Sequence, residues 1–184
     1  KGDRKKETNE TFFVNLSGPV NGTLGAAIGV VTIVNDDGLP KIRISSERMD
    51  EGNTGSKQMV FSVRAHKKSS ATVTIDYATV DCTAKAGSDY TATRGTLSFA
   101  AGETEKTITV AVSGDVLYEP DESFTVRLSN PTGATIEDGT GTGTIENDDS
   151  KPVLTINNAS VIVGNSGTVP VTFTVSLSKP CGET

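Results

Sequence analysis

Hydrophobic and polar residues alternate along most of residues 38–149, as they do in β-strands with one buried face. Met59, Phe61 and Val63, for example, fall on one face of the same run. Turn-forming residues such as those at 131–133 (PTG) separate the runs, and no segment of useful length has the spacing of an amphipathic helix. The other inward-facing positions that this pattern predicts are Ile42, Ile44, Ala65, Val73, Ile75, Tyr77, Leu97, Phe99, Ile108, Val110, Val112, Phe124, Val126, Leu128 and Ile145.

About seven short strands in roughly 110 residues is the pattern of an immunoglobulin-like sandwich. The Cys…Trp…Cys signature of antibody-type domains is missing, because the chain has two Cys and no Trp. The predicted fold class is therefore all-β, an immunoglobulin-like seven-stranded antiparallel β-sandwich that recurs in tandem.

The chain repeats itself at an offset of 112 residues. Residues 10–17 (ETFFVNLS) resemble residues 122–129 (ESFTVRLS), and residues 32–37 (TIVNDD) resemble residues 144–149 (TIENDD). The match runs through loops as well as strands and needs no gap. Unrelated strands of similar composition would not keep one register through their loops, so the match indicates a true repeat.

A boundary after each Asp-Asp pair divides the chain into three segments. Residues 1–37 are predicted to be the C-terminal part of one repeat, residues 38–149 a complete repeat, and residues 150–184 the N-terminal part of the next. The linkers around Pro40 and Pro152 are short, and proline keeps the residue before it extended. The sequence therefore predicts neighbouring repeats placed end to end with little slack.

The composition excludes several functional classes. The chain has 17 Lys and Arg against 23 Asp and Glu, a net charge of −6, so a nucleic-acid partner is not expected. One His and two Cys do not make a zinc site, no nucleophile elbow occurs, and we predict no enzyme. The longest apolar run, residues 26–34, is too short to cross a membrane. Cys82 and Cys181 lie in different repeats, which favours free or differently paired thiols over a repeated disulfide.

Acidic residues concentrate in a few inter-strand turns. Residues 113–122 (SGDVLYEPDE) hold several, and Glu51, Asp89 and residues 148–149 lie in others. Inter-strand turns gather at the two ends of a sandwich, and carboxylates crowded at one end would raise one another's pKa. A hard cation such as Ca²⁺ relieves that crowding by taking about six to eight oxygen ligands.

Simpler interpretations of these acids stay open at this point. Asp, Asn and Gly favour turns for backbone reasons alone, and acids also discourage pairing between sheet edges. Asp115, Glu119 and Glu122 would in addition share one face of a helix, although Pro120 and the flanking strands speak against a helix there.

At this point the residues resemble the Calx-beta family, which occurs in the cytosolic loops of sodium/calcium exchangers and in many extracellular and bacterial surface proteins. The resemblance is carried by residues 73–79 (VTIDYAT), 86–90 (AGSDY), 95–99 (GTLSF) and 145–149 (IENDD), with acids between them. It covers the complete repeat and both partial ones. Each piece is weak by itself, and the combination is specific.

The resemblance implies a sandwich that holds calcium among the loops at one end. Carried onto this sequence, the ligands would be Glu51, Asp89, Asp115, Glu119, Glu122, Asp148 and Asp149. Gly114 and Asn147 stand where the calcium-sensing exchanger domains carry Asp, and Val163 replaces the counterpart of Glu51 in the third segment. These departures predict fewer ions or weaker binding. Cys82 stands where the family usually has Gly.

The main functional hypothesis is a Ca²⁺-binding structural spacer of a large extracellular or cell-surface, adhesion-type protein. Calcium would stiffen the junction between repeats, at the affinities of about 10⁻⁴ to 10⁻³ M that suit extracellular modules. The expected partners are calcium ions, neighbouring repeats, and other cell-surface or matrix proteins. Two alternatives stay open: a calcium-sensing regulatory domain of a transporter, and an adhesive or assembly module that needs no metal.

Overall fold

The computed structural model describes residues 8–34 and 38–180, and within these ranges every regular element is a β-strand. No helix there is long and apolar enough to span a membrane. The predicted repeat motif at Asp36 and Asp37 and the second cysteine, Cys181, lie outside the described residues. The strands are β1 (Glu10–Asn15), β2 (Ile28–Ile33), β3 (Lys41–Ile44), β4 (Glu47–Asp50), β5 (Ser56–Ala65), β6 (Val73–Asp81), β7 (Arg94–Phe99), β8 (Glu105–Ser113), β9 (Glu122–Thr132), β10 (Thr135–Asp138), β11 (Thr140–Glu146), β12 (Leu154–Ile156) and β13 (Val175–Leu177).

Strands β3–β11 form two sheets that pack face to face. One sheet has the order β10-β3-β5-β8 and the other has the order β4-β11-β9-β6-β7. Most neighbouring strands are antiparallel, as predicted, and the longest ladder joins β5 to β8 over nine residue pairs. The prediction of an all-β immunoglobulin-like sandwich is confirmed.

The core lies between these two sheets and is made of the residues that the alternating pattern places inside. Phe61, Phe124 and Ile75 are fully buried, and the rings of Phe61 and Phe124 meet edge to face with centroids 6.0 Å apart. Tyr90 was not among the predicted core positions, because it lies in a connection rather than a strand. Its ring is 1% exposed and stacks on Phe124 at 4.3 Å, so the segment before β7 also fills the core.

The first strand of the sandwich differs from the sequence-based expectation, because it is split between the two sheets. β3 pairs in parallel with β10, and β4 pairs in parallel with β11. The last strand is divided between the sheets in the same way, into β10 and β11, so the unit has nine strands and not seven. The chain changes sheet at Ser45, whose carbonyl oxygen would lie 2.3 Å from a Cβ placed on Gly141. The side-chain period of a strand does not change at such a break, so the pattern alone could not reveal it.

The segments on either side of the sandwich each form one antiparallel pair, β1–β2 and β12–β13. Their registers repeat those of the sandwich: the six β1–β2 pairs are the six β9–β11 pairs shifted by 112 residues. The three β12–β13 pairs are the three β3–β5 pairs shifted by the same amount. The 112-residue offset seen in the sequence therefore recurs in the backbone pairing.

Candidate functional site

Six of the seven candidate acids lie on four connections that meet at one end of the sandwich: the β4–β5 turn, the β6–β7 connection, the β8–β9 loop and the segment after β11. The seventh, Glu122, is the first residue of β9 at the same end. Backbone hydrogen bonds join these connections. Glu51 N donates to Glu146 O at 3.1 Å, Gly114 N donates to Gly55 O at 3.0 Å, and Ser113 N donates to Asp89 O at 2.8 Å. The loops are therefore held against one another by their backbones, independently of the carboxylates.

Three carboxylates form a first group at this end of the fold. Glu51, Asp148 and Asp149 each offer an oxygen within 4.8 Å of the others. Glu51 is only 7% exposed, and it is the one charged residue among the buried residues of the described chain. Glu51 Oε1 and Asp149 Oδ2 are buried and accept no hydrogen bond from any described residue. Buried carboxylate oxygens without a partner are costly, and a bound cation would remove that cost.

A second group contains Asp89, Glu119 and Glu122, whose oxygens also lie within 4.8 Å of one another. All three side chains are partly buried. Asp89 is oriented by its own turn, because Lys85 N donates to Asp89 Oδ2 at 2.6 Å. The two groups together contain six of the seven acids that the sequence places in the site.

The seventh acid, Asp115, has an exposed side chain and is not part of either group. Its Oδ1 accepts a hydrogen bond from Leu117 N at 2.7 Å, which shapes the start of the β8–β9 loop. Asp115 nevertheless raises the pKa of Glu51 more than any other acid does. Asp115 therefore acts on the site through its negative charge, although its side chain is exposed to solvent.

The pKa of Glu51 is raised to about 7, chiefly because the side chain is buried. The carboxylates that add to this effect are, in decreasing order, Asp115, Glu119, Asp148 and Asp149. Glu119 is close to both groups, since it lies beside Asp89 and also acts on Glu51. The crowding of acids that the sequence suggested is present in the fold, and in the absence of a cation it favours the protonated form of the Glu51 carboxyl.

Asn147 organises the site in a way that the sequence did not suggest. Its Oδ1 accepts from Glu119 N at 3.1 Å, its Nδ2 donates to Asp149 O at 2.8 Å, and its backbone N donates to Asp121 Oδ1 at 3.1 Å. The Asn amide thus joins the β8–β9 loop to the segment after β11. A carboxylate at this position has no N–H to donate, so Asn147 replaces a negative charge with a structural link.

Tyr90 and Asp81 support the loop that carries Asp89. The Tyr90 hydroxyl donates to Asp81 Oδ1 at 2.5 Å, and Ala86 N donates to the same oxygen at 3.1 Å. Burial and this hydrogen bond raise the pKa of Tyr90 to about 12, while the same bond lowers the pKa of Asp81. The buried ring fixes one side of the loop and thereby positions Asp89.

Gly114 allows two loops of the site to touch. A Cβ placed on Gly114 would lie 2.2 Å from Gly52 O and 2.7 Å from Glu51 O, so any side chain there forces the β4–β5 and β8–β9 loops apart. We expect Gly114→Ala to lower the free energy of unfolding by about 1–3 kcal/mol, the usual cost of overpacking. Gly38→Ala is the matched control, because a Cβ there meets nothing within 4 Å. Urea unfolding curves that coincide for the two variants would contradict this role of Gly114.

The segment after the sandwich reaches into the first acidic group. Lys179 Nζ lies 3.2 Å from Asp149 Oδ1, and the Asp149 side chain is 7% exposed. Lys151, in the linker, lies over the ring of Tyr118 at 5.2 Å from its centroid. The chain that follows β11 therefore contacts both the candidate site and the β8–β9 loop.

Oxygen donors dominate the arrangement. Six carboxylates in two groups of three match the ligand preference of Ca²⁺ and include none of the nitrogen or sulfur ligands that zinc prefers. Cys82 is a free, exposed thiol.

The sequence of this chain is similar to a known domain family and to part of the sodium/calcium exchangers. A family model described as the Calx-beta domain matches residues 36–149. Sodium/calcium exchanger 1 of the dog (Canis lupus familiaris) is 52% identical over 59 residues, which are 32% of this chain and 6% of the exchanger. The chain thus matches only a small part of the curated exchangers.

Two solved structures show the same fold. The apo-form Calx CBD1 domain superposes with a TM-score of 0.55 at 27% identity, covering 61% of this chain and all of that domain. The structure described as calcium binding domain CBD12 of CALX1.1 superposes with a TM-score of 0.52 at 27% identity, covering 59% of this chain and 44% of that one.

Proposed function

Because the chain belongs to the Calx-beta domain family, we propose that its β3–β11 sandwich is a regulatory Ca²⁺-binding domain. The observation that carries this proposal is the pair of buried, unpartnered oxygens, Glu51 Oε1 and Asp149 Oδ2, within one group of carboxylates. A protein of the same fold is described as a calcium binding domain, which supports the choice of ion. Calcium is the cofactor of this proposal, and we assign the domain no catalytic role.

We assign the seven acids to the site in three roles. Glu51, Asp148 and Asp149 would hold one ion, since their oxygens converge and two of them are buried without a partner. The second group of three would hold another ion. Asp115 would act mainly through its charge, because it is exposed and bound to its own loop. The ligands proposed for the second ion are Asp89, Glu119 and Glu122.

The relatives favour a regulatory role over the adhesion-type spacer expected from the sequence. The relatives reported above are sodium/calcium exchangers, and the family resemblance places the Calx-beta domains of such exchangers in cytosolic loops. That location conflicts with the expected extracellular or cell-surface position, so we do not carry the expected matrix or cell-surface partners into this proposal. We therefore propose the transporter-type calcium sensor, the alternative left open by the sequence, as the function of this domain.

The proposed tandem arrangement gives calcium a way to act beyond its own repeat. We propose that residues 1–37, 38–149 and 150–184 belong to three successive repeats, as the repeated registers of β1–β2 and β12–β13 suggest. Lys179 of the third segment contacts Asp149 of the site. An ion bound at Asp149 would compete with the Lys179 ammonium for the same carboxylate. Calcium binding would therefore weaken the ion pair between Lys179 of the third segment and Asp149 of the site.

Calorimetric titration with calcium tests the assignment. We expect about two ions per chain with dissociation constants in the sensor range of about 10⁻⁷–10⁻⁵ M. Asp89→Asn should remove one ion, because it reduces the charge of only the second group. Glu105→Gln is the control with the same charge change, since its ion pair with Arg64 lies at the other end of β8. Dissociation constants near 10⁻³ M would instead favour the spacer, and the absence of binding heat would contradict calcium binding altogether.

A further inference from the structure

Four basic residues form a block on the outer face of the β10-β3-β5-β8 sheet. Core-facing and solvent-facing residues alternate along β3 and β5, and the basic residues occupy the solvent-facing positions. Arg43 lies directly opposite Arg64, and Lys41 N donates to His66 Nδ1 at 2.8 Å, which makes Lys41 and His66 neighbours in the next row. These four residues are called the basic block below. The block lies far from the acidic site, since the other end of β5 pairs with Ser113 beside the acidic loops.

The direct opposition of Arg43 and Arg64 is unfavourable for the sheet by itself. The Cβ atoms of directly opposed residues lie about 5 Å apart, and like charges at that separation repel. Each guanidinium pairs with a carboxylate on its outer side: Arg43 Nη2 lies 3.0 Å from Glu137 Oε2, and Arg64 Nη2 lies 2.8 Å from Glu105 Oε1. Both arginine side chains are 62% exposed, so these ion pairs are weak and open at little cost.

The pairing of β3 with β5 does not require basic residues at these positions. The third segment forms the same strand pair with neutral counterparts of the block, which at the 112-residue offset are Val153, Thr155, Ser176 and Ser178. Ser178 Oγ accepts the backbone N–H of Val153 at 2.9 Å, just as His66 Nδ1 accepts that of Lys41. A neutral hydroxyl therefore serves the backbone as well as the imidazole does. A local cost that the fold does not require is typical of a functional position.

We propose that the basic block binds a phosphate group that bridges Arg43 and Arg64. A guanidinium has five N–H donors and forms paired, charge-assisted hydrogen bonds with phosphate. To the other described residues Arg43 donates one hydrogen bond and Arg64 donates two, so donors remain on both side chains. His66 adds a donor, because its Nδ1 is an acceptor and its proton is then on Nε2.

The charge of the ligand follows from the two carboxylates that already flank the block. A carboxylate ligand would only replace Glu105 or Glu137 with an equal charge, whereas a dianionic phosphate bonds to both guanidinium groups at once. Lys67 and Lys68 follow the block directly, in the β5–β6 turn, and add positive charge beside it. A soluble phosphate ester and the phosphomonoester headgroup of a lipid both present this dianion. The proposal uses no ligand of the calcium site, so the two stand or fail separately.

NMR titration of the full 184-residue chain with inorganic phosphate tests the proposal, at pH 8, at constant ionic strength and with no calcium added. The backbone amide signals of β3 and β5 around the block should shift in a saturable way, and chloride at the same ionic strength should leave them in place. Arg43→Thr/Arg64→Ser introduces the residues that the third segment carries at these positions, so the strand pair should be kept. Phosphate binding should weaken by about tenfold or more, because hydrogen bonds to a charged ligand are lost.

A matched variant separates this site from a general effect of positive charge. Arg94→Thr/Arg127→Ser removes the same charge from the outer face of the other sheet, where the two arginines lie on either side of Ala78. This control should bind phosphate like the unchanged chain. The absence of a saturable shift in the unchanged chain, equal affinity in Arg43→Thr/Arg64→Ser, or an equal loss in the control would overturn the proposal.

Cosedimentation with phosphatidylcholine vesicles that contain phosphatidic acid identifies the source of the phosphate. Pelleting of the unchanged chain that is lost in Arg43→Thr/Arg64→Ser would support the site and assign it to a lipid headgroup. Saturable binding of inorganic phosphate without pelleting would support the site and assign it to a soluble phosphate ester.

Discussion

Saturating calcium is expected to raise the melting temperature of the chain by about 10 °C. Free calcium at about 100 times the dissociation constant adds ~2.7 kcal/mol to the stability of a folded state that alone binds it. In a domain of this size ~1 kcal/mol corresponds to about 4 °C. The physical source of the gain is the first acidic group, where Glu51 and Asp149 each bury an oxygen without a hydrogen bond. Differential scanning calorimetry with calcium and with chelator measures the shift.

A charge-matched pair of variants makes this test specific. Asp148→Asn/Asp149→Asn removes two charges from the first group, and most of the calcium-dependent shift should be lost. Glu105→Gln/Glu137→Gln removes two charges from exposed ion pairs with Arg64, Lys41 and Arg43, away from the site, and should keep the shift. Equal shifts in the two double variants would refute the assignment of Asp148 and Asp149.

Calcium affinity is expected to be about tenfold weaker at pH 6 than at pH 8, because the ion must displace a proton whose pKa is about 7 on Glu51. Without calcium the sign for stability is the opposite. The pKa of Glu51 in the folded protein lies above the ordinary glutamate value of 4.5. Its contribution to stability is therefore fully present below pH 4.5 and is lost as the pH rises through about 7. Calcium-free protein should therefore lose stability between about pH 5 and pH 8, and saturating calcium should remove that loss.

Glu51→Gln isolates the contribution of this carboxyl from that of every other group in the chain. The variant should have a calcium-free melting temperature above that of the unchanged chain at pH 8, since it buries no charge. Its calcium affinity should be lower at pH 8 and should vary little between pH 6 and pH 8. Melting curves and titrations at three pH values provide both quantities. Parallel pH profiles for Glu51→Gln and the unchanged chain would show that Glu51 is not the titrating group.

The neutral residues of the site have roles that the sequence does not indicate. By sequence, Asn147 and Gly114 are only positions that lack a charge, whereas both have structural roles in the fold. Asn147 links two loops through its amide, and Gly114 permits a backbone approach that no side chain would allow. A sequence shows that a charge is missing, but only the neighbouring backbone shows what the replacement residue does.

The amino-acid sequence alone specifies the strand faces, the 112-residue offset and the kinds of residue in the turns. These are local or periodic properties, because a strand places every second side chain on the same face. The tertiary structure alone decided which acids meet. Glu51 and Asp148 are almost a hundred residues apart in the sequence. They meet because β4 and β11 pair in parallel, which places the residues that follow these two strands side by side. It also decided that Asp115 stays in solvent and that two carboxylate oxygens are buried without partners. Those outcomes depend on how strands from both sheets end at one place, which no local pattern specifies.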